Sequence, residues 1–462
     1  MAALNEWSAA QLSAAFASRS LSPVEVAQAT IAHIERCEPQ LGAMYAFDPD
    51  GALVMARESE ARWMKGAPLS AIDGVPITIK ENIATRGVPV PMGTAATVLT
   101  PALEDAPPAA RMREAGTVFL GKTTMPDYGM LSSGLSSFHQ LARNPWDLSK
   151  NPGGSSAGAG AAAAAGYGPL HIGTDIGGSV RLPAGWCGIF GLKPSLGRIP
   201  IKPPYYGRVA GPMTRTVRDA ALMMQHLSKP DWRDSMSLPA QMIDWAALDI
   251  DVSRLKLGLL MNAGWGDPVN RQVRQIVEAA ARTFEAAGAM VEPIEPFITR
   301  DMADGIDRFF RVRSWLDISA LPPERQAKVL PYIREWVASG SSYSGAQVFH
   351  AFSQIGAMRE ASVVACQPYD FVLSPVSPMV AFKAEWPGPT NDPQRPFEHI
   401  AYTLTYNMSE QPAASVNAGY NAAGLPIGLQ IIGQRHDDLG VLRLAQAWEL
   451  MRPAQREWPA LA

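Results

Sequence analysis

Apolar positions along this chain recur first at helical spacing and then at strand spacing. Leu21-Ser22-Pro23-Val24-Glu25 places a serine N-cap before a first-turn proline, and Val26, Ile31 and Ile34 follow on one helical face. The first 65 residues read as helical. From Asp73 the period shortens: GVPITIKENI, bounded by Gly74 and Asn82, and TVFLGK at 117–122 read as strands. Between them, 109–116 reads as a helix that Gly116 stops. LKLGLL, AMVEPI, DFVLSP and GLPIGLQIIG predict further strands, while 273–288 predicts an amphipathic helix and 439–451 a closing helix. This alternation favours an α/β architecture.

Three stretches depart from the pattern. Residues 229–253 are polar, proline-containing and weakly periodic, and read as a linker or excursion. Residues 300–366 are mainly helical and carry Phe309, Phe310, Trp315, Tyr332, Trp336, Phe349 and Phe352. At helical spacing such aromatics are core by default, but Phe309, Trp315, Tyr332 and Trp336 are also candidates to line a substrate pocket. Residues 130–215 are rich in glycine and serine yet keep apolar runs such as LHIGTD and CGIFGLKP, unlike a flexible linker. Glycines inside apolar structure point to close backbone approach or positive φ.

Length and composition narrow the reading. A chain of 462 residues suggests two or three domains, with one large fold also open, and it can bury a sizeable core. Forty basic and 43 acidic residues give a net charge of -3, which excludes a nucleic-acid or anionic-membrane binder as the first expectation. Cys37, Cys187 and Cys366 are too few and too scattered for a disulfide framework or metal knuckle, and predict a reducing, cytoplasmic setting. The N-terminus shows no secretory pattern, and the weakly polar run at 157–172 is too short and small-residued to span a membrane.

Several motif matches fail on context. GAGAAA at 158–163 fits a dinucleotide fingerprint, but a loop rather than a strand precedes it. Gly154-Ser155-Ser156-Ala157-Gly158 fits G-x-S-x-G, which would make Ser156 a nucleophile, without the strand or the paired histidine. Ser253 to Lys256 fits S-x-x-K without its companion motifs. The seven histidines form no metal-binding spacing; His171 reads as a satisfied core residue, and His139 keeps only a weak functional claim. No metal and no cofactor are expected.

What remains is a lysine and a set of serines. GTDIGGSVR puts Ser179 after a short strand and two glycines. The consecutive N–H groups of Ile176, Gly177, Gly178 and Ser179 can curl into an anion-binding nest beside that hydroxyl. Lys80 ends the strand VPITIK. Desolvation there would lower its pKa and make it a base, although a snorkelling lysine, or one paired with Glu81, is the commoner outcome on the strand alone.

At this point the sequence resembles the amidase signature family. NPGGSSAGAG…GTDIGGSVRLPAGWCGIFGLKP, at 151–194, is similar to that family's Gly/Ser-rich signature over its whole length. GVPITIKENI resembles the segment that holds its catalytic lysine, and GPMTRTVRDAALMM, YDFVLSPVSP and PAASVNAGYNAAGLPIGLQIIG match later landmarks. The resemblance implies one domain over 1–462, built on a large mixed sheet covered by helices on both sides. It also implies amide hydrolysis through an acyl-enzyme on Ser179, with Ser155 in the family's cis-configured serine position bridging Ser179 to a neutral Lys80. The amides of Ile176, Gly177, Gly178 and Ser179 would form the oxyanion hole, Ser156 would support the network, and Met130 would meet the substrate.

The substrate expected is a small-molecule amide, and a homodimer through the N-terminal helices is open. Two alternatives stand beside the free-standing amidase: the amidase subunit of a glutamine-dependent tRNA amidotransferase, and a non-catalytic binding partner. Residues 335–365 lack the Gly/Tyr-rich pattern associated with glutamine recognition in that subunit, which favours the free-standing enzyme.

Overall fold

Eleven apolar segments pair into one mixed sheet in the computed structural model, which describes residues 4–461. The strands are β1 (Met44–Tyr45), β2 (Pro76–Lys80), β3 (Val118–Thr123), β4 (Leu170–Asp175), β5 (Phe190–Lys193) and β6 (Val209–Thr214), then β7 (Lys256–Leu259), β8 (Met290–Pro293), β9 (Phe371–Pro375), β10 (Ala413–Tyr420) and β11 (Pro426–Gly433). Their order across the sheet is β1-β3-β2-β4-β6-β5-β10-β11-β9-β7-β8. Strand β2 runs parallel to both β3 and β4. Parallel neighbours need crossovers, and these are the helices Pro107–Glu114 and Ala157–Ala165. The middle of the sheet is antiparallel, and β7 pairs in parallel with β8 and β9.

Helices cover both faces, so central strands are buried on each side and read as continuous apolar runs rather than alternating ones. Every residue of β2, β4, β9 and β11 is buried. The main core joins Ile77 and Ile79 to Ile172, Leu192, Leu429 and Ile431 across the sheet.

The N-terminal part folds as the helices Ala9–Ala17, Pro23–Leu41 and Pro49–Met64, with β1 between the last two. Ser22 caps the second helix: its hydroxyl accepts from the Val24 N–H, while the Glu25 carboxylate accepts from the Ser22 N–H at 2.8 Å. Residues 229–251 form neither helix nor strand, although Trp245 is buried. The 300–366 stretch folds as the helices Arg300–Ser319, Pro323–Gln326, Pro331–Val337 and Gly345–Cys366. Among the described residues, no helix is long and apolar enough to cross a membrane.

The helix Ala157–Ala165 explains its composition. All nine residues are buried. A Cβ on Gly158 would lie 2.2 Å from the Ala43 carbonyl oxygen and 2.4 Å from the Thr124 nitrogen. Only glycine and alanine let this helix lie so close to neighbouring backbone.

Candidate active site

Lys80 is the last residue of β2, and Asp175 is the last residue of β4. The two strands are parallel with Ile79 opposite Ile172, so their carboxyl ends leave the sheet on the same side. Ligand sites in open α/β sheets gather outside such carboxyl ends. Lys80 is fully buried there. Its side-chain nitrogen lies within hydrogen-bond reach of Ser155 Oγ at 2.8 Å, Ser156 Oγ at 3.0 Å and the Thr174 carbonyl at 3.4 Å, all uncharged groups. Burial drives its pKa well below the ordinary lysine range, and the charge of Arg208 adds to this against the opposing pull of Asp175 and Glu81.

Glu81 does not pair with Lys80. It accepts from the Gly93 N–H at 2.9 Å and meets His139 Nε2 at 2.5 Å. His139 is thereby tied to the residue beside Lys80, with its ring edge-on to Tyr45.

Ser155 follows a cis peptide bond from Gly154 and is nearly buried. Ser156 is saturated. Its hydroxyl accepts from Lys80 Nζ and the Thr174 N–H and donates to the Thr174 carbonyl, which leaves no lone pair for attack. Its backbone N–H donates to the Ser179 carbonyl at 3.2 Å, linking the two serine loops. The Ser179 hydroxyl has no protein partner among the described residues. It opens into a cavity of about 330 Å³ shared with Ser155, Thr174, Ile176, Gly177 and Met130.

The nest at 176–179 needs one correction. The Gly178 N–H donates to Asp175 Oδ1 at 2.8 Å, so it is committed and does not face the cavity as a free donor. Among the described residues no protein acceptor meets the N–H groups of Ile176, Gly177 and Ser179. Gly178 instead shapes the loop: its φ is +125°, and a Cβ there would lie 2.5 Å from Thr403 Oγ1. That hydroxyl donates to the Gly177 carbonyl at 2.7 Å.

Asp175 anchors a buried network that the sequence did not reveal. Its carboxylate collects the N–H groups of Gly178 and Val180, the Arg181 guanidinium and the Asn407 amide. Burial alone would raise its pKa, but Arg181 and these hydrogen bonds outweigh it and hold the group well below the carboxylate range. Arg181 also donates to Asn407 Oδ1 at 2.6 Å, Gln430 Oε1 at 2.7 Å and the Thr403 carbonyl at 2.9 Å. Only the Asp175-to-Gly178 link had a local signal, an aspartate side chain accepting from backbone shortly ahead of it.

Of the four aromatics considered for the pocket, Trp336 lines the cavity, together with Phe310 and Phe397. Phe309 instead packs on Phe310 and Phe352, while Trp315 and Tyr332 join a separate cluster around Leu131 and Ile333. A helical aromatic run does not say which face meets the cavity. His171 lies in the core, bonded to Thr78 at 2.7 Å and the Gly168 carbonyl at 3.0 Å, and burial pulls its pKa down to about 3. Lys256 pairs with Glu292 at 3.0 Å, away from Ser253, which bonds Asp251. Among the described residues no three His, Cys, Asp or Glu side chains gather as a metal site, and the three cysteines are buried and free.

Comparison with known proteins gives the family. The Amidase family model matches residues 25–442. The chain is 35% identical to a glutamyl-tRNA(Gln) amidotransferase subunit from Myxococcus xanthus (strain DK1622), over 95% of this chain and 96% of that protein. It is 32% identical to an acylamidase of Rhodococcus erythropolis, over 98% and 97% of the two chains. The structure of a bacterial aryl acylamidase of the amidase signature enzymes superposes with a TM-score of 0.89 at 32% identity, covering 97% of this chain and 96% of that one. Peptide amidase from Stenotrophomonas maltophilia superposes at 0.85 with 25% identity and 98% coverage of both chains. Matched along nearly its whole length, the chain belongs to the amidase signature family and is a hydrolase acting on amide C–N bonds.

Proposed function

We propose that this protein is a free-standing amidase that cleaves a carboxylic amide through an acyl-enzyme on Ser179. The observation that carries the reading is the buried Lys80 nitrogen, 2.8 Å from Ser155 Oγ, beneath a cavity onto which Ser179 opens. Ser179 Oγ adds to the amide carbonyl carbon while its proton passes to Ser155 Oγ, and Ser155 gives its own proton to neutral Lys80. The two serine hydroxyls are not hydrogen-bonded in the free protein, so substrate binding turns Ser179 towards Ser155. The carbonyl oxygen becomes an oxyanion facing the free N–H groups of Ile176, Gly177 and Ser179. Collapse breaks the C–N bond, and the proton returns from Lys80 through Ser155 to the departing amine. Water then repeats the sequence on the acyl ester, and the carboxylate leaves. Met130, on the cavity wall, is our candidate to contact the substrate amide.

The single continuous sheet supports reading 1–462 as one domain. Three buried free thiols fit a reducing compartment, and we place the protein in the cytoplasm. One specific observation favours a second reading, as the amidase subunit of a tRNA amidotransferase: the 35% identity to such a subunit. A non-catalytic binding role has less behind it, because nothing in such a role requires Lys80, Ser155 and Ser179 together.

Ammonia release from glutamine, aliphatic amides and aryl amides separates the three. The expected result is release by the protein alone from an amide other than glutamine, with labelling of Ser179 by a serine-reactive phosphonate. Ser179→Ala should lose activity by at least about a thousandfold while keeping its circular dichroism. Release from glutamine only when partner subunits are added would select the second reading. No release from anything, with no labelling, would select the third.

A further inference from the structure

Two guanidinium groups face the cavity and hydrogen-bond to none of the reacting groups above, although the charge of Arg208 acts on Lys80. Arg208 immediately precedes β6, whose Val209 pairs with Asp175 at the end of β4. The register therefore sets Arg208 at the end of the strands from which Lys80 and the 176–179 loop emerge. Arg313 arrives from a separate element, the helix Arg300–Ser319. It packs over the Tyr205 and Phe310 rings, 4.9 and 5.3 Å from their centroids. Both arginines line the same cavity as Ser155 and Ser179.

Among the described residues, neither guanidinium meets a carboxylate. Arginines that are buried or half-buried elsewhere contrast with these two: Arg181, Arg198 and Arg311 each pair with an aspartate, and Arg215 donates to the Ala163 and Ala164 carbonyls. The two acidic residues on the cavity wall do not fill the role. Asp175 is saturated by Arg181, Asn407 and backbone N–H groups, and Asp317 is exposed and forms no ion pair with Arg313. Burial, and then the charge of Arg313, pull Arg208 down to about 10, so it stays charged at neutral pH. Positive charges drawn together in a partly buried space are costly without a counter-charge. The backbone at this point is also fixed, since Asn407 Nδ2 donates to the Gly207 carbonyl at 2.9 Å from within the Asp175–Arg181 network.

We propose that Arg208 and Arg313 form a carboxylate-binding subsite, so that the substrate is an amide carrying a carboxylate in the same molecule. Guanidinium recognises carboxylate by paired N–H donors. This proposal rests on the amidase reading and names the substrate class for it.

The carboxylate can belong to the acyl part or to the amine part, and two series distinguish them. Succinamate, glutaramate and adipamate carry it on the acyl side; N-butanoylglycine and N-butanoyl-β-alanine carry it on the amine side. Each is compared with the neutral analogue that has a methyl ketone in place of the carboxylate. In one series the wild type should favour the acid by tenfold or more in kcat/KM, mainly through KM. That ratio should fall at least fivefold in Arg208→Gln and in Arg313→Gln, with Arg208→Lys retaining part of it. The ratio, rather than a rate, is the readout, so any general change in turnover cancels. A ratio near one throughout, a ratio untouched by both variants, or hydrolysis of neutral amides but of none of the acids would overturn the subsite alone. Hydrolysis of no amide at all would overturn the amidase reading, and the subsite with it.

Discussion

A lysine can act as a base only when its amine is neutral near the working pH, and the surroundings of Lys80 set that condition. Its three hydrogen-bond acceptors carry no formal charge, it is sealed from water, and Arg208 supplies a like charge nearby. The rate should therefore fall on the acid side, below the depressed pKa of Lys80, as protonation removes the base. Arg208→Gln removes a positive charge, raises that pKa and should move the acid limb of kcat/KM to higher pH. An unmoved limb in the variant would sink this account of Lys80.

At this scale the sequence was legible where the chemistry is local. Lys80 ends an apolar strand, where a snorkelling or paired lysine is the commoner outcome, and it was the resemblance of the long Gly/Ser motif that joined it to Ser155 and Ser179. Gly178 was misread because its N–H looks equivalent to its neighbours until Asp175 takes it. Arg208 carried no signal, since its meaning depends on the pairing of Val209 with Asp175.

Elements matter here by how near they come to one another. The helix Ala157–Ala165 carries the 155–156 serines at its N-terminal end and is packed against backbone at Gly158. Gly158→Val would force the Ala43 and Thr124 backbone to move, an overpacking strain of about 1–3 kcal/mol. A lower thermal midpoint is the expected outcome; an unchanged one would show that the helix has room to shift. The run that fits a dinucleotide fingerprint thus answers to packing. Strand β2, strand β3 and the helix between them were readable from periodicity. The aromatics of 300–366 were not, because helical spacing is the same whether a ring faces core or cavity, and of the four considered only Trp336 lines the cavity.

Across the whole molecule, the sheet buries two further lysines, Lys122 and Lys193, besides Lys80. Lys122 donates to the Ile83 carbonyl and Thr85 Oγ1, and Lys193 to the Pro194 carbonyl. Burial pulls both down to about 7, against about 10.4 for an unfolded lysine. Between pH 7 and 9 the unfolded chain therefore keeps protons that the native protein has released. Stability then rises with pH, by up to about 1.4 kcal/mol per unit for each lysine. Urea midpoints at pH 7, 8 and 9 should climb, and Lys122→Met should flatten the climb. A flat or falling series in the wild type would refute it.

The Asp175–Arg181 network has a further consequence for the life of the chain. Arg181 bonds to Asn407 and Gln430, partners 226 and 249 residues away. Lys80, Ser155 and Ser179 are all synthesised in the first two-fifths of the chain, yet the loop that gives Ser179 its setting is tied down by residues translated near the end. Such long-range closures are slow, because the entropy of bringing distant segments together must be met before the contacts form. If Ser179 is the nucleophile we propose, a growing chain that already carries it should be chemically silent. During refolding, hydrolysis should return with the slowest structural phase; its return during an earlier phase would show that the loop sets without Asn407 and Gln430. On the proposed mechanism, completion of the fold acts as the safety catch on Ser179.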